Sequence, residues 1–117
     1  MKDIEKYEEL EVWQAAMELV QEVYGLTDKF PEDEKPGLSA HMRVAAIKIP
    51  AKIAASTGYH NYKISFWYLA IVHALLGTLE THLKTALKLQ YIPITEAAPI
   101  MEKCKSIGRM IDELIMS

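Results

Sequence analysis

The chain has 117 residues, half of them hydrophobic and a quarter charged, which is enough to bury one core and too apolar for a disordered segment. A single cysteine, Cys104, excludes an internal disulfide and agrees with a reducing cytoplasm. The net charge of −3 conceals an uneven distribution. Residues 1–34 hold three lysines against eleven carboxylates, whereas ten of the Lys and Arg and five of the acids fall in the remainder. No acid occurs between Glu34 and Glu80, so one surface is expected to be locally basic.

The amino terminus, Met1-Lys2-Asp3-Ile4-Glu5-Lys6, is mixed and acidic and does not read as a targeting segment. A first helix is predicted over residues 8–26. Leu10, Trp13, Met17, Val20 and Tyr24 recur at three- and four-residue steps as its expected core stripe, with Glu9, Glu11, Glu18 and Glu22 off it. Two prolines and a glycine between Thr27 and Gly37 end it. A second helix is predicted over 38–56, with Leu38, Met42, Ala45, Ile49 and Ile53 inward and a kink or break near Ala46 from Pro50. Ala40, Val44, Ile47 and Ala51 form a second apolar face roughly opposite the first. A helix apolar on two sides is covered on two sides, which predicts a neighbouring subunit.

Asn61 is the expected N-cap of a third helix over 62–90, about 40 Å long at the standard rise. Its first half, Ile64 to Leu76, is apolar nearly all round, and Phe66 and Trp67 join the expected subunit interface. Leu79, Leu83, Ala86 and Leu87 point inward in its second half. The most apolar stretch, Ile64–Leu79, contains His73 and is shorter than the roughly 20 residues of a membrane span, so no membrane role is expected. A fourth helix over 95–116, capped by Thr95, turns Ile100, Cys104, Ile107, Ile111 and Leu114 inward. Four amphipathic segments with short breaks predict an all-α, antiparallel up-and-down four-helix bundle in a single domain, 1–117.

Residues for catalysis are not found. The chain has no Glu-x-x-His, no Gly-rich phosphate loop and no nucleophile elbow, and its four histidines and lone cysteine lack metal-ligand spacing. His73 reads as a hydrogen-bonded interior or interface histidine and Cys104 as a buried, inert thiol. No metal, cofactor or enzymatic activity is expected. The remaining signal is basic. His41, Lys48 and Lys52 share one edge of the second helix, Arg43 lies on the other edge, and Lys63 opens the third helix. That set suits phosphate contact, or a solvated edge between two buried faces.

The motifs Leu10-x-Val12-Trp13-Gln14-x-Ala16-x-x-Leu19-Val20 and Val23-Tyr24-x-Leu26-Thr27-x-x-Phe30-Pro31-x-x-Glu34 resemble the opening of the 23S rRNA intervening-sequence proteins. Gly37-Leu38-x-x-x-Met42-Arg43-x-Ala45-Ala46-x-x-Ile49-Pro50-x-x-Ile53-Ala54 is similar to that family's second helix, and Leu79-Glu80-Thr81-x-Leu83 to its third. The resemblance implies a cytoplasmic bacterial protein, a four-helix bundle in a ring-like homopentamer, and no enzymatic activity. It also implies kinship with the accessory variability determinant of diversity-generating retroelements, which binds a reverse transcriptase and nucleic acid through a positive pentamer. Where the family typically reads Asn-Ile-Ala-Glu-Gly after the Ile-Pro of its second helix, this chain has Lys52-Ile53-Ala54-Ala55-Ser56. Val44 replaces a second Arg, and Tyr59 and His60 stand where Arg residues are common. Two functions follow as expectations: an oligomeric scaffold that binds RNA, DNA or a nucleic-acid enzyme such as a reverse transcriptase, or a structural, protein-binding oligomer with no nucleic-acid affinity.

Overall fold

The computed structural model describes residues 6–117, so the charged residues read at positions 1–5 lie outside the described part. Four helices make up nearly all of it, without a strand among the described residues: α1 (Glu11–Thr27), α2 (Ala40–Ser56), α3 (Tyr62–Lys88) and α4 (Ile94–Met116). They form an all-α bundle of 44 × 24 × 20 Å in which α1 packs on α2 and α4, and α3 packs on the same two helices.

The expected stripes of α2 and α4 are buried at Met42, Ala45, Ile49 and Ile53 and at Ile100, Cys104, Ile107 and Ile111. In α3 the inward set is Leu69, Val72, Leu76, Leu79, Leu83 and Ala86. The stripe expected in α1 is corrected. The core takes Val12, Ala16, Leu19, Val23 and Leu26, while Met17 and Tyr24 remain 42% and 39% exposed and Trp13 and Val20 half-buried. Both stripes have the same 3–4 spacing, so periodicity cannot separate them. Their chemistry does. The buried one is purely aliphatic, with a small residue that allows close helix approach, whereas Trp13 and Tyr24 carry polar tips that need water or a partner.

Three helix boundaries are set by local chemistry. Asn61 caps α3 as expected, its side chain accepting from the Lys63 and Ile64 amides at 2.9 and 3.3 Å. Thr95 is not a cap. The helix starts a residue earlier behind Pro93, which has no N–H to lose and an extended backbone that suits the position. The end of α3 is closed by Gln90 at φ 63, with the Tyr91 amide donating to the Ala86 carbonyl and the Gln90 amide to Leu87, a left-handed C-cap built without glycine.

α2 runs through buried Pro50 without the break that was one of the two expected outcomes there. The irregular backbone lies earlier, in the π-type turn Lys35–Ser39, where Gly37 has non-helical dihedrals. A Cβ on Gly37 would stand 2.7 Å from a Glu34 carboxylate oxygen. That carboxylate accepts from the Leu38 amide at 3.1 Å and the Tyr91 hydroxyl at 2.7 Å, tying the entry of α2 to the α3–α4 connection. At the other end, the Ser65 hydroxyl donates to the Ser56 carbonyl at 2.8 Å and joins α2 to the start of α3. Cys104 is buried as expected, and burial, with Glu80 and Glu22 nearby, pushes its thiol up to about 12. His73 is hydrogen-bonded as expected but lies outside the core. It lies on the exposed side of α3 with Nε2 at 2.9 Å from Asp112 of α4.

Candidate functional site

The outer side of α2 and the flank of α3 beside it form the surface on which the sequence signals meet. On α2, core packing at Met42, Ile49 and Ile53 turns the second apolar face outward by helical geometry. Val44 is 46% and Ile47 44% exposed, Ala51 is exposed and Ala40 half-buried. On α3, Trp67 is 58% exposed. Phe66 is exposed too, but one residue away is 100° round the helix. It falls in line with Tyr62 and His73, both of which reach α4, so the structure separates Phe66 from the α2 ridge.

The cationic residues divide in the same way. Arg43 stands on the α1 side of α2, where its guanidinium meets Asp28 at 2.8 Å, the Thr27 hydroxyl at 2.8 Å and the face of the Tyr24 ring at 4.5 Å. Lys48, Lys52 and His41 point to the α3 side, and Lys63 stands exposed in the first turn of α3. Among the described residues, none of these three lysines pairs with a carboxylate, nor do Lys84, Lys88 and Lys105, whereas Lys29, Lys35, Lys103 and Arg109 all do.

Sequence reasoning missed an aromatic cluster at the α2–α3 elbow. The Lys52 ammonium lies 5.6 Å from the centre of the Tyr68 ring. Tyr59 stacks on Tyr68 at 5.7 Å, and Trp67 meets Tyr68 edge-on at 5.1 Å. The signal was present in Tyr59, Trp67 and Tyr68, but Trp67 and Tyr68 merged into an apolar run and Tyr59 fell in the break before α3. Cations alternating with exposed rings can hold a phosphodiester backbone and stack its bases.

At the head of α2 the same edge opens into a groove of about 330 Å³ between α2 and α3. His41 and His82 face each other there with ring centres 6.2 Å apart, and Lys48 lines the same groove. Burial, and then the neighbouring His41, hold the His82 imidazole below its ordinary pKa. The opposite side of the bundle is different in character. A groove between α1 and α4 is lined by Glu11, Glu18 and Glu102, with Lys103 bridging Glu18 and Glu22 at 2.7 and 3.2 Å.

Among the described residues no group of three or more His, Cys, Asp or Glu side chains could hold a metal ion. α3, at 27 residues, is long and apolar enough by length and composition to cross a membrane, a test that the core helix of a soluble protein also passes.

No curated relative matches the chain. One solved structure, a protein with unknown function from the S23 ribosomal protein family of Bacteroides thetaiotaomicron VPI-5482, is similar with a TM-score of 0.82. The likeness covers 91% of this chain and 99% of that one at 16% identity, and it bears on the fold alone. The match to the family described as 23S rRNA-intervening sequence protein extends over residues 8–113, from the turn before α1 almost to the end of α4. By that match the chain belongs to the 23S rRNA-intervening sequence protein family.

Proposed function

We propose that the protein is a non-catalytic, cytoplasmic, single-domain scaffold that assembles with copies of itself and holds single-stranded nucleic acid, or an enzyme working on it, along the α2–α3 edge. The observation that carries this reading is a surface both apolar and electrostatically unneutralised. Val44, Ile47 and Trp67 are open to water beside three lysines without carboxylate partners.

Up-and-down antiparallel topology is supported by cross-helix pairs whose numbers run in opposite directions. Ser56 with Ser65, Lys52 with Tyr68 and His41 with His82 join α2 to α3, and Lys29 with Glu96 and Glu18 with Lys103 join α1 to α4. The apolar outer face of α2 favours a contact between copies, and a head-to-tail contact closes into a ring when the rotation permits. A pentamer is the expected closure, and Ala40, Val44, Ile47, Ala51 and Trp67 are its expected contact residues. Lys48, Lys52 and Lys63 carry the nucleic-acid contact. Arg43, already engaged by α1, serves the fold.

Light scattering at micromolar concentration tests the assembly, with Val44→Asp plus Ile47→Asp expected to reduce it to single chains. A wild-type chain that is monomeric under those conditions overturns the ring. RNA and DNA binding across a salt series tests the contact. Three lysines on one strand give a log–log slope near −2 per engaged subunit, by the roughly −0.7 per phosphate contact of single strands. Lys48→Glu plus Lys52→Glu should abolish the binding. Absence of binding at low salt leaves the second reading, a structural or protein-binding oligomer, which the net charge of −3 favours.

A further inference from the structure

We propose that the groove between His41, Lys48 and His82 is a phosphodiester-binding subsite whose affinity is switched by histidine protonation. The inference deepens the nucleic-acid reading above and takes its ligand from it. Three nitrogen-bearing side chains from two helices line one groove of about 330 Å³, and no carboxylate is among its lining residues. Pro36 and Leu75 supply an apolar wall against which a sugar or base can lie, beside the expected subunit contact at Ala40 and Val44.

The hydrogen bonding fixes how His41 presents itself. Its Nδ1 is 2.9 Å from the Gly37 carbonyl oxygen, which can only accept, so Nδ1 carries the proton and Nε2 is the nitrogen left over. Neutral, that nitrogen is an acceptor and offers a phosphate nothing. Protonated, it becomes a charged donor. His82 is subject to the same change 6.2 Å away.

Burial, and then His41, oppose the protonation of His82 in the empty groove, and no carboxylate faces it there. Lys48 on α2 is a cation without an ion-pair partner among the described residues. The carboxylate of the turn leading into α2, Glu34, is taken up by the Leu38 amide and the Tyr91 hydroxyl. Glu80 on α3 is two positions from His82 and therefore about 200° away round the helix. An anionic ligand is then the missing counterion. It draws protons onto the imidazoles, and by linkage its own affinity rises as pH falls.

A phosphodiester keeps one negative charge across this range, so any pH dependence belongs to the protein. The test is fluorescence anisotropy of a labelled eight-nucleotide uridine RNA at fixed ionic strength between pH 8.5 and 5.5. Wild-type affinity should increase up to tenfold per pH unit for each proton taken up. His41→Gln plus His82→Gln should flatten the profile at the high-pH affinity, and Lys48→Ala should weaken binding at every pH. A flat wild-type profile, or a double variant as steep as wild type, overturns the subsite while leaving nucleic-acid binding intact. If RNA fails to bind at any pH, the nucleic-acid reading falls. Dimethyl phosphate titrated against the imidazole proton signals of the wild-type protein then decides the subsite, since perturbed His41 and His82 signals with raised pKa support it and unmoved signals overturn it.

Discussion

Removing the Arg43 guanidinium should cost about 2 kcal/mol of folding stability, and the figure follows from three contacts. The ion pair to Asp28 at 2.8 Å has a partner whose side chain is 76% exposed, so it contributes on the order of 0.5 kcal/mol. The bond from Nε to the Thr27 hydroxyl, also 2.8 Å, is shielded better because Thr27 is buried, and it contributes about 1 kcal/mol. The Tyr24 ring at 4.5 Å adds roughly 0.5 to 1 kcal/mol. These contacts share one group, so they do not add strictly. Urea unfolding of Arg43→Ala measures the loss, and Arg43→Lys, which keeps the charge without the planar fork, should recover less than half of it. RNA affinity should be unchanged in either variant. A loss below 0.5 kcal/mol, or an Arg43→Lys protein as stable as wild type, would refute the assignment of Arg43 to the α1–α2 junction.

Leu19→Ala should destabilise by roughly 2 to 5 kcal/mol and Met17→Ala by under 1 kcal/mol in the same urea measurement, because only the first opens a cavity; the reverse ranking would restore the other stripe of α1. Gln90→Gly should raise stability by about 0.5 to 1 kcal/mol by relieving a left-handed side-chain-bearing residue, read as a higher thermal midpoint. Tyr91→Phe tests the Glu34 link through pH. The Tyr91 hydroxyl, and then the Leu38 amide, hold the Glu34 carboxyl below its ordinary value of 4.5. A depressed folded-state pKa stabilises above the unfolded value and is lost as pH falls through the folded one. Wild type should therefore exceed the variant in urea midpoint at pH 7, and the gap should close in acid below the usual carboxylate range. A gap independent of pH would assign the hydroxyl's contribution to packing.

The inward faces of α4 and of the second half of α3 were legible because each has one aliphatic stripe flanked by polar residues, and that of α2 because Met42, Ile49 and Ile53 outweigh the smaller side chains of its opposite face. α1 has two, and choosing between them needs the other helices in place. The cap at Asn61 could be read from the sequence because Asn is a strong acceptor at that position, whereas Gln90 has no composition cue for a left-handed turn. Arg43 was seen as a free cation because Asp28 and Thr27 belong to the preceding helix and its end. Only the packing of α1 on α2 brings them to it. The groove at His41 and His82 joins residues forty-one positions apart, a distance that no local pattern spans.

The Ser65 hydroxyl that fastens α3 to the Ser56 carbonyl acts as the zero mark of a ruler. Once that end is pinned, the fixed rise of the two helices dictates which residues meet further along. Tyr68 comes level with Lys52, and His82, about 25 Å up the shaft, comes level with His41. A slip of one residue at the pin would carry each of those partners a third of a turn out of alignment, far from where any local repair could act.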